Sequence, residues 1–532
     1  MNMRIRYPDS ITLFGEKGTR EAKIGEEVSF RDIDTEAGTA SLYVTAEDEP
    51  LSGVRLRFDF TPEDKRYDGV HVLGDAYERA YSDLHWSSIE PERVMPWYIL
   101  VSNGSDLDEN VENRFTEGFG VLVQPSAFVT WQYDGGGVTL NADIRSGGCG
   151  VILGGRELKI CDIVFGEFRD MSAFEAGQKF CRMMCRKQLE DGMRHLPKKP
   201  VYGSNNWYYA YGSSSHDDIL TDSAILADES RGAENKAYMV IDDGWEKYSC
   251  DGPWDILRPS FRNMKELADE MREKGVRPGI WVRLLADEHH ELNLPDECYL
   301  GRDKRYLDPS NEEVIRYVRG VVRMLRDWGY ELIKHDFSTV DVFGNYGFSM
   351  KDGVTADGWA FSDRSRTSAE IMVDFYRCVS EEAGDDCVII GCNTFSHLCA
   401  GIYGLNRTGD DTSGFDWSRT LKMGVNSLAF RLIQNGSFYM ADADCVGITG
   451  AIDWKLNRQW LTLLAHSGSP LFISQKPDVL GSDEVKDVSD ALLLSSVQKN
   501  DCRPLDWMET ELPELWLIDG EKVRFDWYGT QK

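Results

Sequence analysis

No run of about 18 apolar residues occurs in the chain, so the sequence offers no membrane-spanning helix. Basic residues are in the minority: 59 Lys and Arg stand against 90 Asp and Glu, a net charge of −31. Such a surface repels phosphate backbones and anionic lipid, which argues against nucleic acid and membranes as partners. There is no Walker loop and no G-x-G-x-x-G on a strand-to-helix turn, so no nucleotide-binding fold is expected. The 9 histidines form no metal-binding set, and Asp442, Asp444 and Cys445 have no His beside them. Neither a metal nor another cofactor is expected. The stretch Met1 to Gly18 lacks a long apolar run and a small-residue cleavage site, so a cytoplasmic location is expected. There the 12 scattered cysteines are expected as free thiols.

What the chain has in plenty is aromatic side chains, 11% of residues with 15 Trp. Sugar C–H faces stack on such rings, which points toward carbohydrate chemistry; ordinary core packing is the plain alternative. Residues 1–173 predict an antiparallel β-sandwich. Short alternating runs at 41–46, 54–60, 96–102, 120–125 and 128–134 are punctuated by turn residues such as Asp134-Gly135. A helical period first appears at 174–192, and with Leu196-Pro197-Lys198-Lys199 it reads as a connector over 174–199. From Pro200 the texture changes. Strand-like runs at 200–209, 237–243, 276–285, 330–336, 387–393, 402–408, 436–443 and 469–475 alternate with amphipathic helical patterns. This alternation predicts a (β/α)8 TIM barrel over 200–499, with a doubly wound sheet as the alternative. The long loop 340–365 after the fourth strand reads as functional. Residues 500–532 read as a short β segment with a hairpin at Asp519-Gly520.

The chemistry gathers where a barrel would place it, at the C-terminal strand ends. The fourth strand ends in Lys334-His335-Asp336, and residues two apart on a strand share a face. A Lys beside an Asp there suits a nucleophilic carboxylate kept ionised by a cation, or a structural ion pair. Asn205-Asn206-Trp207, Asp242-Asp243-Gly244-Trp245, Trp281 with Arg283, Asn393, Arg407 with Asp410-Asp411, and Asp442 with Asp444 occupy the other strand ends. Paired carboxylates with stacking rings are what glycoside cleavage requires: one attacks the anomeric carbon, and another protonates the leaving oxygen.

In order, W-Y-Y, I-D-D-G-W, K-H-D and R-T-G-D-D resemble glycoside hydrolase clan D, the retaining α-galactosidases and α-N-acetylgalactosaminidases of families 27 and 36. The resemblance covers roughly residues 200–475, and the β-rich N-terminal part is more similar to family 36. It implies Asp336 as the nucleophile and Asp410 as the general acid/base, with Asp411 as the alternative. It implies Asp242 and Asp243 at the sugar's O4 and O6, Trp207 as a flanking aromatic, Lys334 beside the nucleophile and Arg407 near O2. The family 36 acidic run W-F-E-P-E is here Trp281-Val282-Arg283-Leu284-Leu285, which brings Trp281 and Arg283 into the expected site. Asn393, Ser396 and His397 are candidates for the sugar's 2-substituent, and Asp444 for a further contact. Trp86 and its neighbours in 74–97 are expected against a barrel mouth. The expected function is a retaining exo-α-glycosidase, first an α-galactosidase acting on an oligosaccharide or glycoside. The alternatives are an α-N-acetylgalactosaminidase or another clan D exo-α-glycosidase, a transglycosylase of raffinose-synthase type, and a non-catalytic carbohydrate-binding relative. A homo-oligomer is compatible with the sequence.

Overall fold

The computed structural model describes residues 5–61, 67, 69–350, 353–497 and 501–530. The N-terminal part is two antiparallel sheets of six strands each, packed face to face. One sheet is centred on Leu51–Asp59 and Gly137–Asp143, the other on Leu158–Arg169 and Phe115–Val121. Their inner faces meet through aromatic pairs such as Phe58 with Phe165 at 5.7 Å and Phe119 with Trp131 at 6.1 Å. The run read as one strand at 96–102 is split. Met95–Pro96 belongs to the first sheet and Tyr98–Ser102 to the second. Trp97 makes the crossing in the left-handed region, at φ 68°. Alternation of apolar residues carries no record of which sheet a strand joins, so this switch is invisible to pattern.

All eight predicted barrel strands are present. The parallel sheet runs in the order Met440–Asp442, Leu405–Arg407, Val388–Gly391, Leu332–His335, Arg277–Val282, Tyr238–Ile241, Tyr202–Asn205, Leu471–Gln475, Cys445–Ile448. The two ends of that order are separated only by Ala443 and Asp444, and Asp444 has φ 72°. The seventh stave is therefore one bent strand, and the ring closes through it. Helices such as Glu312–Asp327 and Ser368–Ala383 cover its outside. The second of these starts at a reciprocal cap: Thr367 Oγ1 accepts from the Glu370 N–H at 3.0 Å, and the Glu370 carboxylate accepts from the Thr367 N–H at 2.9 Å. Such caps are worth about 1 kcal/mol. The helix pattern at 418–433 is realised in four pieces: Trp417–Arg419, a π-helical Thr420–Asn426, Ser427–Arg431 and a 3-10 turn Leu432–Gln434.

The loop 340–365, of which 351 and 352 lie outside the described residues, folds back on the sandwich. The Gly148 N–H donates to Trp359 O at 2.8 Å, and Arg145 pairs with Asp357 at 2.8 Å. At the C-terminus, Cys502–Pro504, Leu515–Ile518 and Glu521–Arg524 form a three-stranded sheet around the expected hairpin. The expected boundary at 499–500 lies outside the described residues. All 12 cysteines are unpaired. Among the described residues, no helix is long and apolar enough to cross a membrane, and no group of three or more His, Cys, Asp or Glu is placed to hold a metal.

Two acids face inward from the helix His216–Glu229. Burial pushes Asp222 up to about 7 and Glu229 up to about 7. Tyr209 donates to the first, and Gln475 donates to the second at 2.9 Å. Their unfolded values lie near ~4, so the fold holds these protons more tightly than the unfolded chain does. That contribution to stability is full below about pH 4 and is lost as pH rises toward 7. Asp222→Asn combined with Glu229→Gln should therefore flatten the decline in melting temperature between pH 5 and pH 8, leaving the variant relatively more stable at pH 8. Parallel curves for the two proteins would refute the assignment.

Candidate active site

Asp336 follows the fourth barrel strand and is buried at the mouth. Trp281 Nε1 donates to its Oδ2 at 3.0 Å, and the N–H groups of Phe337 and Asn393 donate to its Oδ1 at 2.8 and 3.2 Å. Burial pushes its carboxyl up, but Lys334, Arg79 and the Trp281 hydrogen bond outweigh that, so its pKa is lowered. Three donors and two nearby cations hold this carboxylate oriented and ionised. Lys334 reaches across to Asp242 at 2.7 Å, and Asn205 donates to the same Asp242 oxygen at 2.6 Å. Lys334→Met should accordingly raise the Asp336 pKa. A group needed as an anion then fails at higher pH, so the acid limb of kcat/KM should move up by about 1 pH unit or more. An unmoved limb would separate Lys334 from Asp336.

The wall opposite is built by Arg407-Thr408-Gly409-Asp410-Asp411. A Cβ on Gly409 would stand 2.0 Å from Met423 O, so only glycine lets this turn pass so close to the helix. Asp410 pairs with Arg419 at 2.5 Å and with Arg79 at 3.1 Å. Asp411 lies 3.3 Å from Arg79 and 3.3 Å from Arg407. Burial pushes Asp411 up, yet Arg407, Arg79, Lys334 and Arg419 together hold it down at about 2. Arg407 is itself buried against Asp444 at 2.9 Å. Asp444 also accepts from Tyr208 Oη and from the Thr412 N–H and Oγ1 at 2.8 and 2.9 Å. All of these contacts are to Oδ2, and they tie the bent seventh strand to the Asp411-Thr412 turn.

Other expected site residues are placed differently from one another. Trp207 is half-buried, with its ring 5.3 Å from that of the exposed Tyr211. Asp242 stands in the mouth beside Lys334. Asp243 turns into its own loop, accepting from Ser249 Oγ at 2.6 Å and from the Cys250 N–H at 2.7 Å. It also faces the buried Glu246, whose carboxyl is pushed up to about 9 by burial and by Asp243. Glu246 therefore carries the proton between the two. Arg283 does not point at an open site: it is spent on Asp341, Glu288 and the Cys250 carbonyl. Asn393 Nδ2 donates to Glu78 at 3.2 Å. Ser396 bonds the carbonyls of Ala76 and Tyr77, and His397 bonds Val121 O at 2.8 Å and stacks on Trp97. His335 is buried among Phe375, Tyr376 and Tyr403.

Arg79 and Glu78 were not singled out from sequence. Both belong to the 74–97 run of the sandwich, which enters the barrel mouth. The Ala80 N–H donates to Thr408 O at 2.8 Å, and the Asp410 N–H donates to Ala80 O at 3.0 Å. Glu78 accepts from Thr339, Gly347, Tyr81 and Asn393. The base of the run is pinned by Asp75, which pairs with buried Arg431 at 2.8 Å. Trp86 itself packs on Trp507 at 5.3 Å, against the C-terminal segment rather than the carboxylates of the mouth. The sequence signal was a run too long and aromatic for a simple turn, and no local pattern marks side chains whose barrel partners lie 261 to 332 positions away. A cavity of about 460 Å³ opens at the other end of the barrel, among Gln188, His195, Arg377 and Glu381. Those residues lie before or between strands, at the end that serves stability in this fold, so the carboxylate cluster at the mouth is the candidate site.

No family model matches the chain. Its fold is that of the family 36 α-galactosidases. The α-galactosidase TtGalA from Thermus thermophilus, solved with p-nitrophenyl α-D-galactopyranoside, is 16% identical, with a TM-score of 0.60 over 97% of this chain and 99% of that one. The α-galactosidase AgaA from Geobacillus stearothermophilus is 13% identical, with a TM-score of 0.59 over 92% and 76%. The galactosidase domain of the α-galactosidase-sucrose kinase AgaSK is 14% identical, with a TM-score of 0.60 over 98% and 80%.

Proposed function

We propose that this chain is a retaining exo-α-glycosidase of the α-galactosidase type, acting on terminal α-linked galactose-type sugars by double displacement. Asp336 attacks the anomeric carbon and forms a β-linked glycosyl-enzyme. Asp410 protonates the departing oxygen and then deprotonates the water that releases the sugar with its α configuration. Against the upward push of burial, the charges of Arg407, Arg79, Lys334 and Arg419 lower the Asp411 pKa, which disfavours it as the proton donor, and the proposal gives the acid/base role to Asp410, the aspartate directly after Gly409 in the R-T-G-D motif. Asp242 and Lys334 offer an acceptor and a donor to sugar hydroxyls, and Arg407 organises the turn that carries Asp410. Rings flank the mouth, with Tyr211, Phe348 and Phe415 exposed and Tyr346 half-buried. Tyr211 and Phe415 lie 6.2 Å apart on one side, and Tyr346 and Phe348 stack at 5.9 Å on another. They give the leaving sugar apolar faces. The observation that carries the reading is the Arg79 guanidinium, which contacts Asp410 at 3.1 Å and by its charge helps hold Asp336 ionised, so the two carboxylates share one mouth.

The test is a panel of aryl α-glycosides (galactose, N-acetylgalactosamine, glucose and β-L-arabinopyranose), with the first-formed anomer read by NMR. Fastest turnover of the galactoside with α-galactose appearing first supports the proposal. First-formed β-galactose would overturn the retaining mechanism. Sugar binding without cleavage of any member would favour the non-catalytic alternative.

A further inference from the structure

The residue that follows the nucleophile has a backbone that an L side chain rarely adopts. Phe337 sits at φ 63° and ψ 0°, in the left-handed region, at the start of the short helix Ser338–Phe343. A Cβ in this region collides with the neighbouring carbonyl, so an unconstrained Phe would leave it. The conformation has a consequence for Asp336: with the strand before it and the helix after it fixed, a change of this φ turns the 336–337 peptide plane, so the left-handed backbone keeps the Phe337 N–H on Asp336 Oδ1, 2.8 Å away.

What holds the backbone there is visible around the ring. The Arg283 guanidinium lies 4.8 Å from the ring centre, and the Trp281 ring meets it edge-on at 6.4 Å. Trp281 is the residue whose indole also donates to Asp336. Arg283 is fixed in turn. Its Nε and Nη2 fork onto buried Asp341 at 3.1 and 2.7 Å, and its Nη1 reaches Glu288 and the Cys250 carbonyl at 3.0 Å each. Asp341 closes the loop, because its own N–H donates to Phe337 O at 2.9 Å. Cation, ring and helix turn thus converge on one residue.

We propose that Arg283, Asp341 and Phe337 form a clamp that keeps the Phe337 backbone left-handed and so positions the Asp336 carboxylate for attack. The inference rests on the reading of Asp336 as the nucleophile. Arg283 is then a positioning residue, which explains why a cation occupies this strand end without facing the sugar.

Glycine and alanine at position 337 give opposite answers under this inference and under simple packing. Phe337→Ala loses the clamped ring but keeps the Cβ that opposes the left-handed backbone. Phe337→Gly loses more contact, yet adopts that backbone freely. With α-galactosyl fluoride, whose leaving group needs little protonation, kcat of Phe337→Gly should exceed that of Phe337→Ala by about 10-fold. The acid limb of kcat/KM should move up in the alanine variant alone, because only there does Asp336 lose the amide donor. Arg283→Met should cost about 10-fold in the parent but under about threefold in the Phe337→Gly background, since coupled residues are not additive. The Gly-to-Ala comparison does not depend on the Arg283 variant folding. If the parent turns the fluoride over and the alanine variant equals or exceeds the glycine one, the clamp is overturned while the glycosidase reading stands. A parent inert on the fluoride overturns that reading, and the clamp with it.

Discussion

Asp336→Asn should reduce turnover of every α-galactoside by about 10⁴–10⁶-fold, the scale of deleting a covalent nucleophile. The amide keeps the shape, but its single oxygen can accept from Phe337 and Asn393 on one side or from Trp281 on the other, so one side of this hydrogen-bond set is lost while the barrel around it has no reason to change. What is lost is the nucleophile, and good leaving groups give no relief. Asp410→Asn should behave differently. General acid/base assistance is worth about 10²–10⁴-fold, and the loss should be smallest where the leaving group needs least protonation. Azide separates the roles by stereochemistry. In Asp336→Asn it attacks the α-glycoside directly, one inversion, and yields the β-glycosyl azide. In Asp410→Asn it attacks the β-glycosyl-enzyme and yields the α-glycosyl azide. The reverse products, read by NMR, would exchange the two assignments, and unimpaired turnover in both variants would remove them.

The barrel could be read from sequence because each βα unit writes its own pattern. Buried parallel strands such as Leu332–His335 are short apolar runs ending in charge, and the helices between them carry a 3.6-residue period. The polar strand ends followed from the same logic, since Asp242, Lys334, Asp336 and Arg407 each sit at the last residues of, or just beyond, a predicted strand. The direction of each side chain did not follow. Asp242 and Asp243 are adjacent and chemically identical, yet one stands beside Lys334 and the other is held by Ser249 and Cys250. That choice is made by the turn at Gly244, whose φ of 111° packs it against Gly212. Arg283 illustrates the same limit. Its place on the third strand suggested the sugar, and its actual partners, Asp341 and Glu288, come from a short helix and a loop, neither long enough to write a period.

Arg79→Ala should be the most damaging change outside the barrel, at about 10²–10³-fold in kcat/KM, although residue 79 lies in the β-sandwich. Its guanidinium is buried, touches Asp410 at 3.1 Å and Asp411 at 3.3 Å, and helps hold Asp336 ionised. Removing one partner of a buried ion pair leaves the others uncompensated, a cost of about 3–5 kcal/mol. Here part of that cost falls on catalysis. The sign for pH follows from the same contacts. Without Arg79 the pKa values of Asp336 and Asp411 both rise, so the acid limb of kcat/KM should move to higher pH. Arg79→Lys keeps the charge but loses the planar fork that bridges two carboxylates, so it should fall between the parent and the alanine variant. Added guanidinium ion should recover part of the activity of Arg79→Ala and none of that of Asp336→Asn, because the first leaves a cation-shaped gap and the second removes the reacting atom. Parent-like kcat/KM and pH dependence in Arg79→Ala would mean that the sandwich only buttresses the barrel. The expected loss would make the mouth a joint product of both parts of the chain, with the Asp75–Arg431 pair setting how deeply Arg79 reaches into it.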